Sequence, residues 1–178
     1  MAHRRSLEET WIHLGDSMPR DAQGKPFVPP AIPSDDDEVF GFSFFRNFVE
    51  GDDLSDVTLP RTYFGRSGLE RVSFRNTDLS ESRMCWNDFK ECDFSAADLS
   101  GCDMRASLFE NCKFGGASLR GADLRRSSFH ACDFSGADLT GAVADENATI
   151  EYLYDKLTEE QQASMDWCDD PGEMPPGG

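Results

Sequence analysis

Long apolar runs are missing from this sequence: no stretch reaches the ~20 apolar residues that a membrane-spanning helix needs. Basic side chains are scarce, 17 Lys and Arg against 34 Asp and Glu, so the 178 residues carry a net charge of −17. Such a chain is repelled by nucleic acid and by membrane surfaces, and direct binding to either is not expected. Histidine is rarer still: His3, His13 and His130 share no motif with the carboxylates. A nucleophile elbow, a glycine-rich phosphate loop, a metal-binding pair and a general-acid constellation are all lacking, so neither enzymatic activity nor a cofactor or metal is expected. The opening MAHRRSLEETWIHL has bases but no apolar core like that of a secretory signal, which predicts a soluble, cytoplasmic protein. Six cysteines fit neither paired zinc-ligand spacing nor a small disulfide scaffold.

What is present is a core pattern of unusual regularity. Starting at Leu54 and stepping by five, every residue to Leu139 is Leu, Phe or Met, eighteen in a row. Across residues 52–141, Leu108 is the only Leu, Phe or Met off that register. A period of five matches neither the 3.6 of a helix nor the 2 of a strand. It requires a chain that turns a corner in each repeat and points the same position inward every time. The position two before each centre supports this: from residue 92 it reads Cys92, Ala97, Cys102, Ser107, Cys112, Ala117, Ala122, Ser127, Cys132 and Ala137, all small. Small residues beside large ones let successive layers nest.

A period of twenty lies over the period of five. Leu59, Leu79, Leu99, Leu119 and Leu139 form one column, Phe74, Phe94, Phe114 and Phe134 a second, and Phe89, Phe109 and Phe129 a third. The fourth is mixed: Phe64, Met84, Met104 and Leu124. Four five-residue sides therefore close one square coil, and like stacks on like. The segments ADLSG, ADLRR and ADLTG resemble the pentapeptide-repeat family over residues 52–141, about half the chain. That resemblance implies an all-β solenoid, a right-handed quadrilateral β-helix, here of about five coils with short helical flanks.

The flanks read as caps on a solenoid body at 41–142. The N-terminal segment, 1–40, holds a capping box at Ser6-Leu7-Glu8-Glu9 opening a short helix with Leu7, Trp11 and Leu14, then a Pro-rich connector and the acidic run Asp35–Glu38. Residues 41–52 are expected to carry a first imperfect coil through Phe44 and Val49. In the C-terminal cap, 143–167, Ile150, Leu153, Tyr154 and Leu157 have amphipathic helical spacing, and Thr158 to Gln161 cap a second short helix. These residues make either a lid over the last layer or a homodimer contact; the lid is favoured because an open solenoid end exposes apolar surface and an unpaired edge. Residues 168–178 read as a disordered tail.

Polar residues inside the repeat divide into fold chemistry and a candidate surface. Cys92, Cys112 and Cys132 should stack in one interior column as small buried thiols rather than as a disulfide or metal ladder, and Cys85 is expected outward and more reactive. Nine of the sixteen acids in residues 41–142 immediately precede a centre, where Asp can accept hydrogen bonds from turn N–H groups. One side differs. Around the mixed column the outward positions hold Tyr63, Arg66, Arg83, Trp86, Arg105, Arg125 and Arg126, interrupted by Asp103 and Asp123. Arg with Trp is the composition of a binding hot spot, so this side is expected to receive an acidic or aromatic protein surface, unless the chain's own acidic run covers it. The function expected is a non-enzymatic scaffold for a protein partner. The alternative comes from the family resemblance: some members mimic B-DNA, bind DNA gyrase or topoisomerase IV and protect it from quinolones or toxins. The net charge of −17 agrees with that alternative, while the body alone carries only −4.

Overall fold

The computed structural model describes residues 3–17, 43–145 and 153–169. Between Ser43 and Asp145 the chain winds as a four-sided β-solenoid of about 6 turns. On one side the strands β2 (Phe48–Glu50), β4 (Gly68–Glu70), β5 (Asp88–Lys90), β6 (Leu108–Glu110) and β7 (Ser128–His130) form a parallel sheet. Its register puts Val49 beside Leu69, Leu69 beside Phe89, Phe89 beside Phe109 and Phe109 beside Phe129. The other sides are joined by bridges between residues twenty apart, such as Asp78 with Asp98 and Asp93 with Lys113. The mixed side starts with β1 (Ser43–Phe45) on β3 (Tyr63–Gly65) and ends with β8 (Val143–Asp145) on β9 (Asp166–Cys168). The imperfect coil through Phe44 and Val49 and the final Ala144 row account for the turn beyond the five expected.

All eighteen centres from Leu54 to Leu139 are 2% exposed or less. A repeat near 4.8 Å between adjacent strands sets the distance between equivalent rings. Phe89, Phe109 and Phe129 accordingly stack at 4.9 Å with nearly parallel planes, and Phe74, Phe94, Phe114 and Phe134 at 4.8–5.2 Å. The two stacks meet edge to face, as Phe129 does on Phe134 at 5.5 Å. Rings in both arrangements gain from their quadrupoles beyond simple burial.

The corner is a backbone event. Every fifth residue from Arg46 to Gly141 has φ between +52° and +72°, glycine at some positions and Arg, Asn, Glu, Ala, Asp or Trp at the others. At several corners the next N–H closes on the centre's carbonyl, Ala97 on Phe94 at 3.0 Å and Cys102 on Leu99 at 3.2 Å. A positive φ at the third residue of such a turn defines type II. Asp just before the centre then accepts from the N–H two residues on: Asp93 from Ser95 at 2.9 Å, Asp98 from Ser100 and Asp138 from Thr140, both at 3.0 Å. Most of the acids placed before centres therefore serve the turns.

Small interior positions carry their own hydrogen bonds. Ser107 and Ser127 hydroxyls donate at 2.5 Å to the Met84 and Met104 carbonyls of the preceding turn. The thiols of Cys92, Cys112 and Cys132 do the same at 3.4 Å to Leu69, Phe89 and Phe109. None of the six cysteines is joined in a disulfide. Among the described residues no buried side-chain N or O lacks a partner.

Both ends are capped. Helix α1 (Leu7–Ser17) opens with the expected box, Ser6 N–H to Glu9 at 2.8 Å and Glu9 N–H to Ser6 Oγ at 3.3 Å. It lays fully buried Thr10 and Leu14 on the first turn, where Thr10 Oγ1 accepts from Thr58 N–H at 2.9 Å. At the other end Leu153, Leu157 and Met165 join the core. Helix α2 (Glu159–Ser164) has a capping box between Thr158 and Gln161. The Gln161 amide also donates to Phe134 O at 2.9 Å and Ala137 O at 3.0 Å, in place of a further turn. Two boundaries differ from expectation. The solenoid runs past residue 142, because β9 gives β8 a strand to pair with, and Cys168 lies in that strand rather than in a disordered tail. Ile150, the acidic run 35–38 and residues 170–178 lie outside the described residues.

Candidate partner-binding face

The mixed side splits into two halves. Its outward ladder runs Tyr63, Arg83, Asp103, Asp123, Val143, and the corner column beside it is Arg46, Arg66, Trp86, Ala106, Arg126. In the upper half the arginines are occupied. Arg105 grips Asp103 with two bonds, Nε to Oδ1 at 2.8 Å and Nη2 to Oδ2 at 2.7 Å, and reaches Asp123 at 3.5 Å. Arg125 holds Asp123 in the same way, at 2.9 and 2.7 Å. Their side chains lie flat, only 17% and 23% exposed. Burial pushes the Asp103 carboxyl up, but the Arg105 fork and a hydrogen bond from the Cys85 thiol together offset it and hold the group below the usual range. The same hydrogen bond pushes Arg105 further up. Arg126 is tied in through its backbone, whose N–H donates to fully buried Asp145 at 2.6 Å.

The lower half keeps its charge. Arg66 and Arg83 are exposed, and Tyr63 and Trp86 are half-buried beside them. Trp86 occupies a corner at φ +60°. A left-handed conformation costs an L residue roughly 1–2 kcal/mol, so a bulky indole there has a reason other than backbone geometry. The structure thus brings together Tyr63, Arg66, Arg83 and Trp86 and separates them in character from Arg105, Arg125 and Arg126. Sequence reading passed over Arg46, exposed on the same corner column; its distance of twenty residues from Arg66 was the available signal.

Three other candidates resolve simply. Cys85 is outward in the repeat but half-buried, and burial followed by the Asp103 charge pushes its thiol up, so it is not an activated nucleophile. Leu153 and Leu157 are buried in the cap, while Tyr154 is 41% exposed and packs edge-on against Trp167 at 5.6 Å. Among the described residues no group of three or more His, Cys, Asp and Glu side chains is arranged for a metal ion, and no helix is long and apolar enough to cross a membrane.

A stack of turns with a side-chain-filled interior and residues shown only outward defines a repeat solenoid protein. A family model described as pentapeptide repeats (8 copies) matches residues 68–105 and 107–143. Residues 68–105 and 107–143 of this chain are thus pentapeptide repeats. HetL, a pentapeptide repeat protein involved in heterocyst differentiation regulation from the cyanobacterium Nostoc, aligns at 18% identity with a TM-score of 0.57, over 61% of this chain and 51% of that one. This chain thus spans about half the length of HetL. A pentapeptide repeat protein of the Arabidopsis thaliana thylakoid lumen aligns at 26% identity with a TM-score of 0.54, over 67% and 74%. QnrB1, a plasmid-mediated fluoroquinolone resistance protein, reaches a TM-score of 0.41 at 13% identity over 70% and 79%, too little to bear on function. No curated protein matches the sequence.

Proposed function

We propose that this protein is a non-enzymatic scaffold that holds a protein partner against the lower half of the mixed side. The observation that supports it is the contrast along that side: the packed solenoid neutralises Arg105 and Arg125 against its own aspartates and leaves Arg66 and Arg83 exposed beside half-buried Tyr63 and Trp86. Rigid backbones with Arg and aromatic side chains are what protein hot spots use. A photo-crosslinking residue placed at Trp86, compared with one at Ala131 on another corner column, tests it in an extract of the native cell. Protein adducts at position 86 and not at 131 are expected; equal labelling at both, or none, removes the reading.

A second reading is mimicry of DNA toward DNA gyrase or topoisomerase IV, favoured by the net charge of −17. Acidic chains of that kind compete for basic DNA grooves. Much of the body's acidity is engaged with turn N–H groups and arginines, which lowers the field it projects. A supercoiling assay titrated with this protein, with and without a quinolone, decides: no change at high excess eliminates mimicry.

A further inference from the structure

Four outward positions of the mixed side lie side by side on two successive turns. Tyr63 and Arg83 stand on one ladder, and three residues further along the same turns come the corner residues Arg66 and Trp86. Between the two columns lie Gly65, buried, and Cys85, half-buried. One turn higher, the position in line with them is Arg105, which lies against Asp103.

The charges of this patch are exceptional for the molecule. Arg71 pairs with Glu50 and Glu70, Arg75 with Asp93, Arg120 with Asp138, and Arg4 and Arg5 donate to backbone carbonyls. Arg46, Arg61 and Arg126 are engaged as well. Among the described residues Arg66 and Arg83 are the two arginines whose side chains have neither a hydrogen bond nor an ion pair. In a chain with twice as many acids as bases, two exposed guanidinium groups without a side-chain partner on successive turns of one side favour an external anion.

We propose that this patch binds an extended acidic segment of the partner protein, its backbone over Gly65 and Cys85 and carboxylates reaching Arg66 on the corner column and Arg83 on the ladder. The inference deepens the scaffold reading and rests on it. Successive side chains of an extended strand point to opposite sides, so two adjacent acids meet both columns. Each guanidinium fork can hold a carboxylate with two bonds, and Trp86 and Tyr63 shield those pairs from water. The neutralised upper half takes no part.

Fluorescence anisotropy tests this with a fluorescein-labelled octapeptide of Asp and Glu, an Asn and Gln peptide of equal length, and a single-stranded oligothymidylate. The acidic peptide should bind, and the amide peptide at least tenfold more weakly. The R66Q/R83Q double variant should lose about tenfold in affinity with an unchanged melting temperature, since neither exposed side chain has a hydrogen bond or ion pair in the fold. The R75Q/R120Q variant, with the same charge change on other sides, should lose less than twofold. Equal affinity for the amide peptide, full binding by R66Q/R83Q, or tighter binding of the oligonucleotide overturns the inference. If the crosslink from position 86 to a protein persists under excess acidic peptide, the acidic occupant is wrong and the scaffold stands; if no adduct forms, the scaffold reading itself fails.

Discussion

Phe109→Ala is the sharpest probe of the architecture. The ring is fully buried, stacks at 4.9 Å on Phe89 and on Phe129, and meets Phe94 and Phe114 edge-on at 6.4 and 5.7 Å. Truncating a buried Phe costs about 3–5 kcal/mol, less where the surroundings collapse into the gap. Collapse is obstructed here. The turns above and below are held at strand spacing by ladder hydrogen bonds, and ring pairs each add about 0.5–1.5 kcal/mol beyond burial. The upper end of the range, about 4–5 kcal/mol, is therefore expected. Each turn touches only its neighbours, so a gap in the middle also uncouples the halves. Urea unfolding followed by circular dichroism should show the loss together with a broadened or split transition. Phe48→Ala is the control: that ring is 67% exposed, and its removal should cost under about 0.5 kcal/mol. A Phe109→Ala loss below about 2 kcal/mol, or one matched by Phe48→Ala, refutes the reasoning.

Three further outcomes follow from the corners and caps. Asp93, Asp103, Asp133 and Asp138 are held below the ordinary carboxylate value, Asp138 at about 2 through bonds from Thr140 and Arg120. Their stabilisation is present above the unfolded carboxylate pKa of about 4 and is lost as pH falls from there toward 2; Asp52, raised by burial, opposes it only in part. Thermal melts should fall steeply over that window, less so in Asp103→Asn, and a melting temperature that is flat from pH 5 to 2.5 contradicts this. Gln161→Ala removes two bonds to the end of the solenoid and half a capping box, and should cost about 1–2 kcal/mol in urea; under 0.5 kcal/mol means that the cap is held by its apolar side chains alone. Glu91, an exposed corner at φ +52°, should gain about 0.5 kcal/mol as Gly and lose about 1 kcal/mol as Val, and the reverse order defeats the left-handed corner as the source of strain.

Most of the body was legible because a single steric fact recurs: one bulky group per side, always inward. Phe44 and Val49 fall on the five-residue register of the sequence, and they pair with Phe64 and Leu69. The Asp before nine of the centres was legible for the same reason, since a turn at every fifth residue can use an acceptor there. The left-handed corner was hidden, because Arg66, Asn76, Glu81 and Trp86 share no chemistry that announces a positive φ. The candidate face was half legible. Outwardness follows from register, but register does not say that Arg105 folds onto Asp103, or that Cys85, outward in the pattern, is covered. β9 was missed because Asp166–Cys168 pairs with β8 across a break in the five-residue count. The cap shows no period from which such a pairing could be read.

Net charge is a poor guide to partners in this architecture. A turn built from backbone N–H groups recruits aspartate, so a longer solenoid of this kind grows more acidic with no partner involved. The field that reaches a neighbour comes only from groups that the fold has not already bonded. By that criterion the eight aspartates that accept from a turn N–H say little, and two arginines say more, since neither turn nor ladder employs the side chains of Arg66 and Arg83. Surface positions in a repeat protein inform about function to the extent that they break the chemistry its repeat imposes. The mixed side breaks it at Tyr63, Arg66, Arg83 and Trp86, and returns to it at Asp103 and Asp123.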